Sequence, residues 1–206
     1  MLLAIDTSAG SSVAVVDLDR GVIAEKSVDD HRRHAEVIGS LIAEALEESG
    51  VAVGALSAVA AGMGPGPFTG LRVGIAAARA FALGARKPVV GLVSHDAIAF
   101  DAYRGGHTGP LLVLTDARRR ELYWSHYAGA DDAGLPTRAS GPGLAAPDEL
   151  PHVDVERREA ASVSAAALGL LAELTWANGR PFAADEALYL RSPDVTLSAG
   201  PKRVTA

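Results

Sequence analysis

The chain has no cysteine among its 206 residues. That absence excludes a disulfide framework, a zinc site built from thiolates and a cysteine nucleophile. The sequence also lacks an uninterrupted apolar run near the ~20 residues that a membrane-spanning helix needs. The first apolar segment, residues 2–5, is short and follows no basic region, so it does not resemble a signal peptide. We therefore expect a cytoplasmic protein that does not insert into a membrane.

Positive charge is scarce as well. The formal net charge is −6, from 19 Lys and Arg against 25 Asp and Glu. A protein that holds RNA mainly through its own surface normally carries a basic face, because phosphate contacts dominate such binding. The dense basic run is Arg118-Arg119-Arg120, and Glu121 follows it at once. If the function involves RNA, we expect another subunit to supply most of the contact.

The remaining composition is that of a packed globular protein, with 49% hydrophobic and 21% charged residues. The length suits one domain or two small lobes that share a core. Strand-like and helix-like segments alternate, which favours a mixed α/β fold with parallel strand pairs. The predicted strands are 2–6, 12–17, 21–28, 58–63, 89–92, 111–116 and 121–127, and the predicted helices are 35–49, 71–83, 94–103 and 162–176.

Two further local features are expected from residue types. Ser94 stands at the start of the third predicted helix and is expected to cap it. Residues 129–147 are rich in Gly, Pro, Ala and Asp, which predicts a long surface connection.

A short polar loop follows the first predicted strand. Asp6 ends that strand, and Thr7 and Ser8 begin a small Gly-containing turn. Backbone N–H groups and hydroxyls in such a turn can face a phosphate, and the aspartate can hold Mg²⁺. This arrangement resembles the first phosphate loop of the actin–hexokinase–heat-shock ATPase superfamily. The alternative is that Asp6 anchors the turn through local hydrogen bonds. We expect Asp6 to matter little to folding.

Residues 62–74 form a second glycine-rich segment, which reads Gly-Met-Gly-Pro-Gly-Pro-Phe-Thr-Gly-Leu-Arg-Val-Gly. Its place between a strand and a helix is typical of phosphate binding at a helix N-terminus. However, no Lys-Ser or Lys-Thr follows the glycines, and the spacing is not that of a dinucleotide-binding fold. Two prolines also remove two N–H donors. A rigid connection is therefore the better interpretation.

Two predicted helices carry wide apolar surfaces. Helix 35–49 has an apolar stripe opposite its glutamates, and helix 71–83 is charged only at Arg72 and Arg79. One side of the second helix can face a sheet, and its other side needs a cover from the first helix or from another protein. We predict that the two helices bind a partner, and that the same surface could pair two copies of the chain. The residues assigned to this surface are Val37, Ile38, Leu41, Ile42, Leu71, Gly74, Ile75, Ala78 and Ala82.

The histidines form no catalytic pattern. His31 and His34 are three residues apart, as two metal ligands on a helix can be, but no third ligand is near them in the sequence. His95 and His107 have no partner that the sequence identifies, and no Gly-x-Ser-x-Gly elbow is present. We therefore predict no catalytic residue and no metal site in this chain.

Five segments together resemble the TsaB (YeaZ) family. They are residues 3–8, 33–36, 62–74, 115–123 and 188–195, of which the Gly-Pro segment is the most specific. The resemblance covers the chain from residue 2 to about 195. It implies a two-lobed α/β fold of the actin–hexokinase–heat-shock ATPase type with a reduced second lobe. The expected parts are a first lobe at 1–104, a second lobe at 105–197 and a loose tail at 198–206.

The family resemblance also implies a function. TsaB-like chains pair with the catalytic paralogue TsaD and with the small ATPase TsaE, and the complex transfers threonylcarbamoyl to an adenosine of certain tRNAs. This chain would then be a non-catalytic scaffold that meets tRNA only through the complex. TsaD carries a His-x-x-x-His metal pair, whereas this chain reads His31-Arg32-Arg33-His34. The chain itself would need no cofactor, although ATP or ADP could bind at the subunit interface.

Two alternatives stay open on the sequence. One is a small nucleotide-dependent ATPase or kinase that uses the Asp6 loop. Such an enzyme would need a nucleotide site in the second lobe, where Gly141-Pro142-Gly143-Leu144 is the nearest candidate. The other alternative is a TsaB-like homodimer with a separate role.

Overall fold

A computed structural model describes residues 1–30, 33–151 and 154–191. The expected tail at 198–206, and His31, lie outside the described residues. The strands are β1 Leu2–Asp6, β2 Ser11–Asp17, β3 Gly21–Val28, β4 Ala58–Gly62, β5 Val89–Leu92, β6 Leu111–Asp116, β7 Leu122–Ala130, β8 Pro136–Ala145 and β9 Glu156–Ala160. The helices are α1 His34–Ser49, α2 Phe68–Ala85, α3 Ser94–Arg104 and α4 Ala165–Ala177, with a short 3-10 helix at Val53–Ala55.

The strands form two sheets, as a mixed α/β fold requires. The first sheet has the order β3-β2-β1-β4-β5, with parallel pairing of β4 to β1 and β5. The second has the order β8-β7-β6-β9, with β9 parallel to β6. The first sheet ends before α3 and the second begins after it, so α3 connects the two sheets along the chain.

Helices cover both faces of the first sheet. Leu3 and Ile5 of β1 point toward α1 and α2, whereas Leu2 and Ala4 point toward α4. This alternation explains why β1 reads as an unbroken apolar run, since a strand buried on both faces has no polar side. Helices α3 and α4 lie between the two sheets and share one core with both. Gly169 lets α4 approach closely, because an added Cβ would lie 2.6 Å from Val16 Cγ2.

Helix α2 has the length and apolar composition of a membrane span. Leu71, Ile75, Ala78 and Ala82 on this helix are buried against the first sheet and α1. A core helix meets the same criterion of length and composition, and here 33% of the helix window is buried, through the face that packs on the first sheet and α1.

Residues 181–191 return from the second half of the chain to the first sheet, and we name this segment the strap. Ala183 bridges Gly91 at the edge of β5, and the Leu188 N–H donates to the Met63 carbonyl at 2.8 Å. Because α4 and the strap both pack on the first sheet, the predicted second lobe at 105–197 is not a separate unit of contiguous sequence.

Two local expectations were wrong, and one strand was missed. The predicted connection at 129–147 contains strand β8, which pairs antiparallel with β7. The charged segment Glu156–Ala160 is a strand that the sequence analysis did not find. Ser94 does not cap α3, because Val93 occupies the cap position and the Ser94 hydroxyl bonds elsewhere.

Candidate functional site

The Asp6 loop forms a closed hydrogen-bonded junction between β1, β2 and α3. Asp6 is 1% exposed. Its Oδ1 accepts from the Ser8 N–H at 2.8 Å and from the Ser8 hydroxyl at 2.6 Å. Its Oδ2 accepts from the Ser94 hydroxyl at 2.5 Å. Burial raises the pKa of Asp6 above its usual range, and the hydrogen bonds from Ser8 and Ser94 oppose that shift.

The glycine-rich segment closes over this loop. Four glycines spaced four residues apart permit the contact. A Cβ on Gly62 would overlap Asp6 Oδ2, and one on Gly66 would lie 2.8 Å from the Ser8 Cα. On Gly70 it would lie 2.6 Å from the Thr7 carbonyl oxygen, and on Gly74 it would overlap Thr7 Oγ1. The residue pairs in contact are therefore Gly62 with Asp6, Gly66 with Ser8, and Gly70 and Gly74 with Thr7.

This geometry does not fit a phosphate or a magnesium ion at Asp6. Both carboxylate oxygens accept hydrogen bonds from protein groups, and the Thr7 hydroxyl donates to the Gly70 carbonyl at 2.7 Å. A metal ligand needs an accessible oxygen with a free lone pair, and a buried carboxylate that already has three donors offers neither the access nor the space. The structure thus favours the second interpretation of Asp6, an anchor of the turn.

The expectation that Asp6 matters little to folding is reversed by this geometry. Asp6→Ala would leave the hydroxyls of Ser8 and Ser94 without their buried acceptor, and we expect a loss of about 3 kcal/mol in the free energy of unfolding. Asp6→Asn retains the Oδ1 bonds and should lose less than half of that amount. Urea unfolding of both variants checks the order, and an alanine variant as stable as wild type would contradict it.

The histidines have structural partners. His34 begins α1, is buried, and its Nδ1 lies 2.8 Å from the Ser11 hydroxyl oxygen. His95 is fully buried on α3, with Nδ1 2.8 Å from Ser125 Oγ and Nε2 2.9 Å from Thr115 Oγ1. Within the described residues, no three His, Cys, Asp or Glu side chains are grouped in a way that could hold a metal ion.

Ser94, His95 and Asp96 open α3 and join the two sheets. Ser94 bonds to Asp6 of the first sheet, and His95 bonds to the hydroxyls of the second. Asp96 Oδ1 accepts from the Tyr127 hydroxyl at 2.7 Å. The Ser94 hydroxyl donates to Asp6 and not to His95, so these three residues form no catalytic triad.

Burial of His95 predicts acid sensitivity. Desolvation, assisted by the nearby Arg138 charge, lowers the pKa of His95 to about 3 from 6.5. The unfolded chain therefore binds one more proton than the folded chain between these pH values, and stability that is complete above pH 6.5 falls as the pH drops toward 3. The slope is about 1.4 kcal/mol per pH unit for this group.

His95→Gln removes this titration and leaves the other ionisable groups in place. We expect the variant to be less stable at pH 7 but to lose stability less steeply between about pH 6 and pH 4.5. Burial raises the pKa values of Asp6 and Asp96, so these two groups favour the folded state as the pH falls, which is opposite to the effect of His95. Their contribution is the same in the wild type and in the His95→Gln variant. Equal slopes in wild type and variant would show that His95 does not titrate as the structure indicates.

The second sheet provides no glycine-rich nucleotide loop at the place that the sequence suggested. Gly141, Pro142, Gly143 and Leu144 lie in β8, beside β7. A Cβ on Gly143 would overlap the indole ring of Trp124. The glycines in this segment therefore make room for a tryptophan, which is a packing role.

Most residues assigned to the partner surface face the interior of the chain. Seven of the nine are buried between the helices and the first sheet, namely Ile38, Leu41, Leu71, Gly74, Ile75, Ala78 and Ala82. Val37 and Ile42 are partly buried beside them. The partner surface stays a prediction, but its contact residues need correction, because a helix buries its apolar stripe against the sheet first.

On the outward surface of the same two helices, small exposed residues stand among the exposed glutamates of α1 and the exposed arginines of α2. We name these small residues, together with Leu83, the outer helix face. On α1 it presents Ala35, Gly39 and Ala43, and on α2 it presents Ala76, Ala80 and Gly84, each set at i, i+4, i+8. Leu83 projects from it with 81% of its area exposed. Small side chains at this spacing let a second helix approach closely, and an exposed leucine is an apolar anchor.

The arginines of α2 bind the strap, which the sequence did not reveal. Arg72 Nε donates to the Tyr189 hydroxyl at 3.2 Å, and Arg79 pairs with Asp185 at 2.8 Å. Their seven-residue spacing was the available signal, since it placed both charges on one line of the helix. The strap is thus one cover of α2, and α1 is the other.

Comparisons with known proteins agree with this architecture. The family model described as TsaD, tRNA N6-adenosine threonylcarbamoyltransferase, matches residues 15–162. An uncharacterized protein of Mycobacterium tuberculosis is 40% identical over 210 residues, which cover 94% of this chain and 92% of that protein. The tRNA threonylcarbamoyladenosine biosynthesis protein TsaB of Escherichia coli is 34% identical over 134 residues, covering 65% of this chain and 57% of that protein.

A solved structure matches across nearly the whole chain. YeaZ from Pseudomonas aeruginosa superimposes with a TM-score of 0.76 at 26% identity, covering 92% of this chain and 99% of that chain. This match, together with the two mixed sheets, confirms the α/β fold that the sequence resemblance implied. With the family model over most of its length and relatives above 30% identity, the chain belongs to the TsaB (YeaZ) branch of the TsaD family.

Proposed function

We propose that this chain is the non-catalytic partner subunit of the complex that makes N6-threonylcarbamoyladenosine in tRNA. In this role it binds the catalytic paralogue TsaD, with TsaE as a further member, and supports threonylcarbamoyl transfer to a tRNA adenosine. The names of its relatives support participation in this biosynthesis. The partner assignment rests on this chain's own surface.

The observation that carries the proposal is the outer helix face. It consists of a row of small exposed residues on each of the two neighbouring helices, with the exposed Leu83 beside the row of α2. A paralogue with the same two helices would pack them against this face as a four-helix contact. The face is also suited to two-fold pairing of this chain with itself, so partner binding and self-association would compete for it.

The Asp6 junction supports the non-catalytic part of the proposal. Its carboxylate, hydroxyls and glycines are used to hold β1, α2 and α3 together. We assign no nucleotide-dependent step to this chain alone. The alternative of a small ATPase or kinase draws no support from this loop.

The proposal is tested with the purified chain and TsaD from the same organism. Calorimetric titration should show binding with one chain per TsaD, and the isolated chain should hydrolyse no ATP in the presence of Mg²⁺. A chain that fails to bind TsaD would contradict the partner assignment. ATP turnover or threonylcarbamoyl transfer by a preparation free of TsaD would contradict the non-catalytic assignment.

A further inference from the structure

The arginine turn between β6 and β7 has an unusual backbone. Arg118, Arg119 and Arg120 have φ values of 64°, 53° and 63°, in the left-handed region that favours glycine. All three residues are exposed, so no core packing requires arginine there. The turn concentrates three positive charges on a chain whose net charge is −6.

Hydrogen bonds at its base hold this turn in place. The Arg118 N–H donates to Asp116 Oδ1 at 2.8 Å, and the Glu121 N–H donates to the Arg118 carbonyl at 3.0 Å. From the strap, the Arg191 guanidinium donates to the Ala117 carbonyl at 3.0 Å and pairs with the Glu121 carboxylate. The charge of Glu121 is therefore neutralised at the base of the turn.

The strap that holds the base of this turn also carries an aromatic ring, which packs against a second ring at the start of α2. Tyr189, 41% exposed, precedes Arg191 by two residues, which limits the separation of their Cα atoms to roughly 7 Å. Its ring centroid is 4.8 Å from that of Phe68. The Arg72 guanidinium carbon lies 3.6 Å from the Phe68 ring centroid. Tyr189 and Arg72 thus form an exposed stacking platform, and Arg191 of the same strap joins it to the base of the basic turn.

From this juxtaposition we infer that the chain itself contacts tRNA, through the backbone phosphates at the arginine turn and an unpaired base on the Tyr189–Arg72 platform. Guanidinium groups bind phosphates, and aromatic rings and guanidinium planes stack with unpaired bases of RNA. An acidic protein partner would use the charges but not the ring platform, so RNA fits both features. This inference rests on the proposed function and revises the expectation that tRNA is met only through other subunits.

Neighbouring carboxylates limit the path of the RNA. A cavity of about 520 Å³ beside Arg118 is lined by Asp29, Asp30 and Asp116. These acids repel phosphates from the cavity interior, so the RNA backbone is expected to follow the outer side of the turn toward Tyr189. The contact is therefore small, and it supplements a larger one made by the rest of the complex.

The test measures binding of an in vitro transcribed tRNA by fluorescence anisotropy at several salt concentrations. The proteins are the reconstituted complex and, at low salt, the chain alone. Arg118→Gln/Arg120→Gln should weaken binding roughly tenfold and reduce the salt slope by about 1 for each phosphate that the turn no longer binds. Tyr189→Leu should weaken binding by a similar factor with an unchanged salt slope, because stacking releases no counterions.

A matched control is available on the same sheet. Arg157→Gln/Arg158→Gln on β9 removes the same charge from exposed positions and should leave tRNA affinity within about twofold of wild type. An equal decrease of affinity in both double variants would indicate net charge alone and overturn the inference, as would wild-type binding by the turn variant. If the turn or Tyr189 variant instead binds TsaD or TsaE more weakly, the surface is a protein contact and the inference is wrong.

Failure of the proposed function gives a different result. In that case the wild-type chain does not assemble with TsaD, whatever the tRNA measurements show. The low-salt comparison of wild type, turn variant and β9 control then decides the RNA contact on the isolated chain.

Discussion

Gly74→Ala is expected to destabilise the protein by more than about 3 kcal/mol, although alanine is intrinsically the better helix former. The added Cβ would overlap Thr7 Oγ1, whose hydroxyl is fixed by its bond to the Gly70 carbonyl. Neither group can move easily, because Thr7 is buried and α2 is packed against the first sheet. Urea unfolding followed by circular dichroism measures the effect.

The same substitution elsewhere on α2 provides the control. Gly84 has no atom within 4 Å of an added Cβ, so Gly84→Ala should stabilise the helix by about 0.5–1 kcal/mol. Combining Gly74→Ala with Thr7→Ala removes the overlapping hydroxyl and should recover part of the lost stability. If Gly74→Ala is as stable as wild type, the glycine-rich segment does not pack on the Asp6 loop as described.

The second large effect is expected from Leu83→Glu, which should weaken TsaD binding at least ~100-fold without unfolding the chain. Leu83 is 81% exposed, so a carboxylate there is solvated in the free protein. In a complex formed through the outer helix face the same carboxylate would be buried without a partner charge. The same variant should abolish self-association. Calorimetry with TsaD and size-exclusion chromatography of the lone chain measure the two effects.

Leu18→Glu is the matched control for this substitution. Leu18 is 42% exposed in the turn after β2 and belongs to neither helix of the outer helix face. We expect it to leave TsaD affinity unchanged and to confirm that one added negative charge is tolerated. Unchanged TsaD binding by Leu83→Glu would place the interface on another surface.

The sequence predicted well those strands whose bounds are marked by residues within the segment itself. Gly21–Val28, Val89–Leu92 and Leu111–Asp116 have the predicted bounds, because β-rich runs end there at turn residues. Strand β8 has no such marking residues, because its glycines are typical of a loop. The reason for glycine there is the contact with Trp124 on the neighbouring strand, which the sequence does not show. Strand β9 is charged throughout most of its length and is recognised only by its pairing with β6.

In the candidate site, too, the sequence identified the separate segments but not the contact between them. The sequence singled out the Asp6 loop and the glycine segment separately, and each alone resembles a phosphate site. The packing of these two segments against each other explains the polar residues of the first and the glycines of the second. A sequence pattern cannot show which loop fills the space left by a glycine. Gly74 was assigned to the partner surface, whereas it and Gly70 make room for Thr7.

The partner surface illustrates a limit of helical periodicity. Ile38, Leu41 and Ile75 form the strongest apolar pattern, and the folded chain uses that pattern for its own core. The surface that we propose for a partner is the opposite side, where Ala80 and Leu83 are exposed. Hydropathy alone gives this side little weight, because most of its residues are small.

The central claim is that this chain is required for threonylcarbamoyl transfer but does not perform it. The most direct measurement is incorporation of threonylcarbamoyl into a tRNA transcript by purified TsaD and TsaE from the same organism, with and without this chain. We predict that transfer requires both TsaD and this chain, that Leu83→Glu fails to restore it, and that the chain alone gives none. Full transfer without this chain, or any transfer by the chain without TsaD, would contradict the account.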